Sequence, residues 1–498
     1  MGEPPVRFGK VAKLLLIRFS FAPRAEMVFW LFVGWVVVVF MTGGSARGDI
    51  STMLVLRPAA VLVCAILLAT AAREDLRRNQ SLLALIVAAM ALVAFHLVPL
   101  PPALWQLLPE RELIARIDRA VGLGPTWRPL TLSPAATWNA LYALTVPLSV
   151  ALFMSRIEPR RWRSLVGPIL GLGLASIVLG LLQTTTANPE SALYPYRVSN
   201  FGAPIGLFAN RNHTGAFLAA MLPLLAVFAS FRGGKDARYR LRLTVALFGA
   251  VTVLMFLLLL GSRAGLLLGL LGLLSMPLIH EGAGNRLPLK RRTIVAIGAA
   301  IVGALAVVAV SLAASRDESL ERLFSVEPGE NYRVTTFFPL LELGAQYFPL
   351  GSGIGTFVTT WQVHEPEARL EPRYLNHAHN EPLELWLTGG VPALVLAALV
   401  IAIVVRATVK AFRAKGLHGK AVRENNALAV KKAAGVVLCL FALASVVDYP
   451  LRTPALSALA AIMLAILLRP IGERGRNGLR RRNDGAASGE QYETDATR

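Results

Sequence analysis

The chain has 498 residues, of which 55% are apolar and only 16% are charged, whereas ordinary soluble domains contain about 25% charged residues. This composition excludes a soluble globular enzyme. The 51 Lys and Arg outnumber the 30 Asp and Glu and give a net charge of +21. In a soluble protein that excess would suggest nucleic-acid binding, but membrane proteins concentrate Lys and Arg in their cytoplasmic loops. The two cysteines, Cys64 and Cys439, lie in apolar runs, so neither a disulfide framework nor a cysteine metal cluster is available.

Apolar segments of membrane-spanning length recur along the whole chain. A spanning helix needs about 20 mostly apolar residues. About twelve candidate spans follow one another, at 27–41, 53–72, 81–97, 136–153, 165–182, 216–230, 243–260, 266–279, 293–312, 385–405, 433–447 and 453–468. We therefore predict an all-α integral membrane protein with about 12 transmembrane helices.

The distribution of basic residues predicts the orientation of these spans. We expect residues 1–26 to be a cytoplasmic N-terminal segment without a removable signal peptide, and 27–468 to form the polytopic membrane domain. Residues 469–498 read as a basic, disordered cytoplasmic tail. With both termini inside, most Lys and Arg fall in cytoplasmic segments, which is the positive-inside pattern. Nucleic-acid binding is not needed to explain the charge, and no zinc-finger or RNA-binding pattern accompanies it.

Three long segments then lie on the outer side, at 98–135, 183–215 and 313–384. The last is a large extracytoplasmic loop between spans 9 and 10, in which we expect short helices and a glycine-rich turn at 351–355. That turn resembles a phosphate loop, but it lacks the strand and helix that such a loop needs. In the first segment, we expect Trp105 to lie at headgroup depth.

Two short polar motifs place an arginine where a span begins. Asn210, Arg211, Asn212 and His213 precede the sixth span, and Ser262 and Arg263 join the seventh and eighth spans. A fixed cation with amide neighbours could hold an anionic group. The alternative is a helix capped by Asn212 or Thr214, with each arginine extending to the lipid headgroups.

The third motif, 376–384, has the densest set of proton-handling groups and contains two of the seven histidines. A histidine oriented by a carboxylate can take a proton from an attacking hydroxyl. A zinc site formed by His377 and His379 is a competing interpretation, although no third ligand is close in the sequence. Helix capping is another. Asp448, after the eleventh span, could pair with Arg452 or with a site arginine.

Taken in order, these motifs resemble the O-antigen ligase and polymerase superfamily of bacterial envelopes. The resemblance covers most of 98–452. It is carried by 99–105, Arg128-Pro129-Leu130-Thr131-Leu132-Ser133, Asn210-Arg211-Asn212-His213, Ser262-Arg263-Ala264-Gly265, Pro349-Leu350-Gly351-Ser352-Gly353-Ile354-Gly355 and His377-Ala378-His379-Asn380-Glu381. Each motif is short, and only their order and topology make the resemblance specific.

The resemblance implies an inverting glycosyltransferase at the periplasmic face of the inner membrane, independent of metals and without a cofactor. The donor would be a polyprenyl-diphosphate-linked glycan. Arg211, Arg263 and Arg333 would bind its diphosphate, because the guanidinium pairs bidentately with phosphate. The catalytic residues would be His379, as general base, and Glu381, with Glu381 or Glu384 orienting the imidazole. Supporting roles are expected for the polar neighbours Asn210, His213, His377, Asn380, Glu384 and Asp448.

Three classes of function follow from these observations. The leading one is an O-antigen ligase that transfers a glycan to the lipid A-core of lipopolysaccharide. The second is a polymerase that extends a growing polysaccharide, or a transferase of oligosaccharides to protein. The third is a transporter, but transporters place their charged groups near the bilayer midplane in paired repeats. Here the polar groups collect at the outer ends of the spans. Membrane lipids are the other expected partners.

Overall fold

The computed structural model describes residues 25–48, 50–230, 236–280, 328–367, 374–414 and 422–470, and it describes side chains there except at 236–237, 328–334 and 422–425. Seventeen α-helices account for most of this part of the chain. In chain order they are α1 (Ala25–Thr42), α2 (Met53–Ala69), α3 (Arg73–Arg78), α4 (Gln80–Phe95), α5 (Pro102–Trp105), α6 (Glu112–Ala120), α7 (Pro134–Ala143), α8 (Thr145–Arg156), α9 (Trp162–Gln183), α10 (Arg211–Ser230), α11 (Asp236–Leu260), α12 (Arg263–Ile279), α13 (Pro328–Gln346), α14 (Phe357–His364), α15 (Glu381–Arg413), α16 (Val422–Val447) and α17 (Pro454–Leu468).

The described part of the chain has the architecture of an all-α, multi-pass membrane protein, as the sequence predicts. Seven helical segments are long and apolar enough to cross a membrane, namely α1, α7 with α8, α9, α10, α11, α15 and α16. Four shorter apolar helices, α2, α4, α12 and α17, accompany them. These helices coincide with eleven of the predicted spans, and the ninth, at 293–312, lies outside the described residues. The residues before 25 and after 470, which include most of the predicted N-terminal segment and of the predicted tail, lie outside them too.

Helix α10 forms the centre of the bundle. It packs against α9, α11, α12 and α16, and nearly all of its side chains after the first two residues are buried. The side chains of such a helix must be small or apolar on every face. Its closest neighbour is α12: a Cβ atom added to Gly215 would lie only 2.8 Å from the Cα of Gly265. The two glycines therefore bring the first turns of α10 and α12 into backbone contact.

A small cap of short elements covers one end of the bundle. Strands β1 (Pro99–Leu100) and β2 (Arg128–Pro129) pair antiparallel. Helices α13 and α14 pack with the start of α15 in a second apolar cluster, built from Leu340, Leu343, Tyr347, Phe357, Trp361, Ala378, Leu383 and Leu387. Trp105 is buried within this cap, and its indole Nε1 donates to the carbonyl of Thr126 at 3.0 Å.

The glycine-rich segment 351–355 is a turn that locks the cap onto α15. Gly351, Gly353 and Gly355 all have positive φ angles, which residues with a side chain rarely adopt. The amides of Ser352 and Gly353 donate to carbonyls of α15 at 2.9 and 2.8 Å. Helix α15 is itself broken at Gly390, where φ is 58°. The first turns of α15 therefore belong to the cap, and the remainder belongs to the bundle.

Candidate functional site

Four chain segments meet at the end of the bundle beneath the cap. The first turns of α10, α12 and α15 point into one region, and the segment after α16 crosses it. The three polar motifs that the sequence singled out lie at these three helix starts. The fold therefore brings together residues that are far apart in the chain.

The start of α10 is capped by Asn210. Its side-chain oxygen accepts the backbone N–H of Asn212 at 2.8 Å, and Asn200 accepts the backbone N–H of Arg211 at 3.0 Å. The alternative interpretation of this motif predicts Asn212 or Thr214 as the N-cap. That prediction is wrong, because Asn210 immediately precedes the first helical residue. Asn212 is thereby released to point into the site.

Ser262 caps α12 in the same way, since its hydroxyl accepts the backbone N–H of Gly265 at 3.0 Å. Arg211 and Arg263 therefore occupy the first helical positions of two adjacent helices. The Arg211 side chain is half-buried and that of Arg263 is exposed. Helix N-termini carry a partial positive charge and favour bound anions. Two arginines at two such termini make a surface suited to a phosphate group.

His379 pairs with Asp448, and this pair is the centre of the site. The imidazole Nδ1 lies 3.2 Å from Asp448 Oδ1. The carboxylate is buried, with an exposed fraction of 3%, and the backbone N–H of Tyr449 also donates to it at 2.9 Å. His379 has a φ of 50°, in the left-handed region that few residues other than glycine enter. This backbone conformation turns the imidazole toward the end of α16.

Asp448 is also bonded to the start of α10 and, through it, connected to the start of α12. Its Oδ2 accepts the side-chain amide of Asn212 at 2.6 Å, and the Asn212 oxygen accepts the hydroxyl of Ser262 at 2.8 Å. The sequence expected Asp448 to pair with Arg452 or a site arginine. The structure instead shows contacts with a histidine and an asparagine, because Arg452 is already held by other carboxylates.

A second charged cluster lies next to the first. Both oxygens of Glu381 accept from Arg452, at 2.6 and 2.9 Å, and Glu384 lies 2.9 Å from the same guanidinium. Glu384 also accepts from His377, at 3.0 Å from Nδ1. Glu381 and Glu384 are therefore engaged by Arg452 and His377, whereas the carboxylate bonded to His379 is that of Asp448.

The ring of Tyr449 separates three imidazoles. Its centroid lies 4.2 Å from that of His377, 4.8 Å from that of His379 and 5.0 Å from that of His213. His213 is buried, and its Nε2 lies 3.8 Å from Asp448, too far for a hydrogen bond. His377 and His379 are bonded to different carboxylates, so the part of the chain that the structure describes does not present them as a shared pair of zinc ligands.

Electrostatics keeps the carboxylate at the centre ionised. Burial acts to raise the pKa of Asp448, but the neighbouring imidazoles of His213 and His379 outweigh it and hold that pKa well below its usual range. Burial acts to lower the pKa of Arg452, and the carboxylates of Glu381 and Glu384 outweigh it and raise that pKa. At neutral pH the site therefore contains a buried anion beside a histidine.

Two predicted site residues do not have described contacts with the His379 and Asp448 pair. Asn380 caps α15, where its side chain accepts the N–H of Leu383 at 3.0 Å. Arg333 is in α13, but its side chain lies outside the described residues. Three residues contribute whose contacts with the site the sequence does not predict: Asn212, Ser262 and Tyr449. Asn212 and Ser262 lie in the predicted polar motifs, beside the arginines.

Comparison with known families agrees with the motifs. The family model described as O-Antigen ligase matches residues 248–398, which include Arg263 and the whole 376–384 motif. A search of curated proteins found no match to the chain. The described geometry and the family match point to one conclusion. Residues 248–398 of the chain are therefore similar to the O-antigen ligase family.

Proposed function

We propose that the protein is an O-antigen ligase-like enzyme of the inner membrane. In this proposal it transfers a glycan from a polyprenyl-diphosphate donor to an acceptor sugar of the lipid A-core, on the periplasmic face. The observation that carries the proposal is the 3.2 Å contact between His379 and a buried Asp448, beside the two arginine-bearing helix starts. A base and an anion-binding surface in one place are what transfer from a diphosphate requires.

Arg211 and Arg263 would bind the donor diphosphate. As the bond between sugar and phosphate breaks, the departing diphosphate gains negative charge. Guanidinium groups at two helix N-termini would stabilise that charge without a divalent cation. Arg333 is a third candidate by the family resemblance. The polyprenyl tail would lie along the apolar surface of the bundle.

The hydrogen bonds of Asp448 assign the protons on His379. An ionised carboxylate can only accept, so Nδ1 of His379 carries the proton that is donated to it. Nε2 of the neutral imidazole is then the basic nitrogen. Because Asp448 also stabilises the imidazolium that forms, it has the orienting role that Asp plays in a Ser-His-Asp triad. Asp448 is accordingly a positioning residue, and His379 is the proposed base.

The reaction then proceeds in one displacement. The acceptor hydroxyl loses its proton to Nε2 of His379, and its oxygen attacks the anomeric carbon from the face opposite the diphosphate. The bond between that carbon and the diphosphate oxygen breaks, and the polyprenyl diphosphate leaves with the electron pair. The anomeric configuration is inverted. A polymerase, or a transferase to protein, would use the same chemistry with a different acceptor.

The proposal is tested by separating donor binding from turnover. We expect His379→Ala to retain binding of glycan-free polyprenyl diphosphate, while glycan transfer falls by about 10²- to 10⁴-fold, the range for a lost general base. His377→Ala is the matched control and should lose less activity, because its imidazole is bonded to Glu384. Arg263→Ala should weaken polyprenyl diphosphate binding as well. Wild-type transfer by a membrane-inserted His379→Ala variant would refute the assignment of the base.

The product identifies the acceptor. Transfer is measured in membrane vesicles from a host strain whose own copy of the chain is deleted, with the labelled lipid-linked glycans of that strain as donors. Label in lipopolysaccharide supports a ligase. Label in longer lipid-linked glycan, or in protein, would replace the ligase proposal by one of its two alternatives.

A further inference from the structure

The hydrogen bonds between Asn212, Ser262 and Asp448 have a fixed direction. Ser262 is bonded to the backbone N–H of Gly265, so its hydroxyl oxygen accepts there and its proton points to Asn212. The Asn212 oxygen must then accept, and its NH₂ must face Asp448. Since each donor has one acceptor, the Asn212 amide has only one orientation that satisfies the network.

This network joins all three helix starts through one buried carboxylate. Asn212 follows Arg211 on α10, and Ser262 precedes Arg263 on α12. Asp448 receives the Asn212 amide on Oδ2 and the imidazole of His379 on Oδ1. Oδ1 also accepts the backbone N–H of Tyr449. Without the amide, Oδ2 would lose its 2.6 Å donor, and the carboxylate could rotate about the bonds on Oδ1. The imidazole would then lose its alignment.

We propose that Asn212 is a positioning residue for His379, acting through Asp448, and that Ser262 sets the orientation of the Asn212 amide. The inference rests on the proposed function, because it assigns a role within the same site. It adds that the alignment of the base depends on the two helix starts that carry the arginines. The glycine contact between α10 and α12 makes this possible, since a wider separation would break the bond between Ser262 and Asn212.

The test replaces Asn212 by residues that do or do not regain a donor. In Asn212→Asp, two carboxylates would face each other, so the pair would take up one proton more readily than an isolated carboxylate. When protonated, the new carboxyl would donate to Asp448 as the amide does. In Asn212→Leu, which has a similar volume, no donor would form at any pH.

Other groups that titrate near Asp448 are shared by wild type and variants. The elements packed against it carry these charged and titratable groups: Arg211 and His213 on α10, Arg263 on α12, His377 and His379 before α15, Glu381 and Glu384 on α15, and Tyr449 and Arg452 after α16. Dividing the rate of each variant by the wild-type rate at the same pH removes their common contribution.

We expect Asn212→Leu to reduce kcat by about 10- to 100-fold, the effect of losing one charge-assisted hydrogen bond, with donor KM within about threefold of wild type. Its rate relative to wild type should not change with pH. The relative rate of Asn212→Asp should rise by about tenfold between pH 8.5 and pH 6. A merely structural role would produce no such recovery. Rates are measured in the vesicles described above, at equal amounts of inserted protein.

The outcomes separate this inference from the proposed function. If His379→Ala abolishes transfer while the Asn212→Asp ratio stays flat, the positioning role is wrong and the base assignment survives. If His379→Ala transfers normally, the base assignment on which the inference rests is wrong, and the inference fails with it. Should the Asn212 variants fail to insert, Ser262→Ala decides: a drop in kcat of about tenfold with donor KM unchanged supports the inference, and wild-type kcat overturns it.

Discussion

Acid should destabilise the cap through His96. The imidazole is buried at the end of α4, and its Nδ1 accepts the backbone N–H of Ile354 in the glycine-rich turn at 3.0 Å. A nitrogen that accepts cannot carry a proton, so the bond requires neutral histidine. Burial, and then the charge of Arg111, lower the pKa of His96 from 6.5 to about 4.

The direction and the size of this loss of stability follow from the linkage between proton binding and folding. Because the folded-state pKa is lower than the unfolded value, the unfolded state binds more protons between pH 6.5 and pH 4. The stabilisation is fully present above about pH 6.5 and is lost as the pH falls toward 4. At about 1.4 kcal/mol per pKa unit, the loss is about 3 kcal/mol.

Thermal unfolding of the detergent-solubilised protein, followed by tryptophan fluorescence at pH 7.5, 6, 5 and 4, measures this loss. His96→Gln is the matched control, since its amide oxygen can accept from Ile354 but does not titrate. We expect Tm of the wild type to fall by several degrees more than Tm of the variant across this range. Parallel decreases in the two proteins would show that other groups cause the acid sensitivity.

Four further predictions concern the site and the topology. Glycan transfer should persist in excess chelator, and loss of transfer that added zinc or magnesium restores would favour a metal site. Arg263→Lys should be severely impaired in transfer, because a point charge cannot pair bidentately with phosphate; near-normal rates would argue against that contact. Arg452→Leu should destabilise the protein by about 3–5 kcal/mol, by leaving two carboxylates without their cation, and an unchanged Tm would contradict this. Reporter fusions after Arg78 and Glu367 should report the cytoplasm and the outer side, and a cytoplasmic signal at Glu367 would overturn the periplasmic site.

The sequence predicts the bundle better than it predicts the site. Apolar runs of spanning length mark the helices directly, because the requirement for internally satisfied backbone groups leaves helices as the default in a membrane. The cap is harder to predict. Trp105 is buried there and bonded to Thr126, 21 positions later in the chain, and no local sequence pattern predicts that contact.

Within the site, the sequence identified the residue types but not all of their partners. Glu381 and Asp448 are both acids near His379, and by proximity in the chain Glu381 was the natural choice. In the structure, the carboxylate bonded to His379 is instead that of Asp448, and Glu381 is bonded to Arg452. Contacts over such separations depend on helix packing. A single sequence does not specify which helix ends meet.

The order of synthesis has a consequence for the His379 and Asp448 pair. These residues are 69 positions apart, and Asp448 emerges from the ribosome last. At ordinary translation speeds of about 5–20 residues per second, His379 waits about 3 to 14 s for its partner. During that interval α10 and α12 have already been made, so Asn212 lacks its acceptor. A chain interrupted before α16 would therefore be inserted with Arg211 and Arg263 in place, and with His379 lacking its carboxylate partner. Activity should begin only when residues 448–452 have been synthesised.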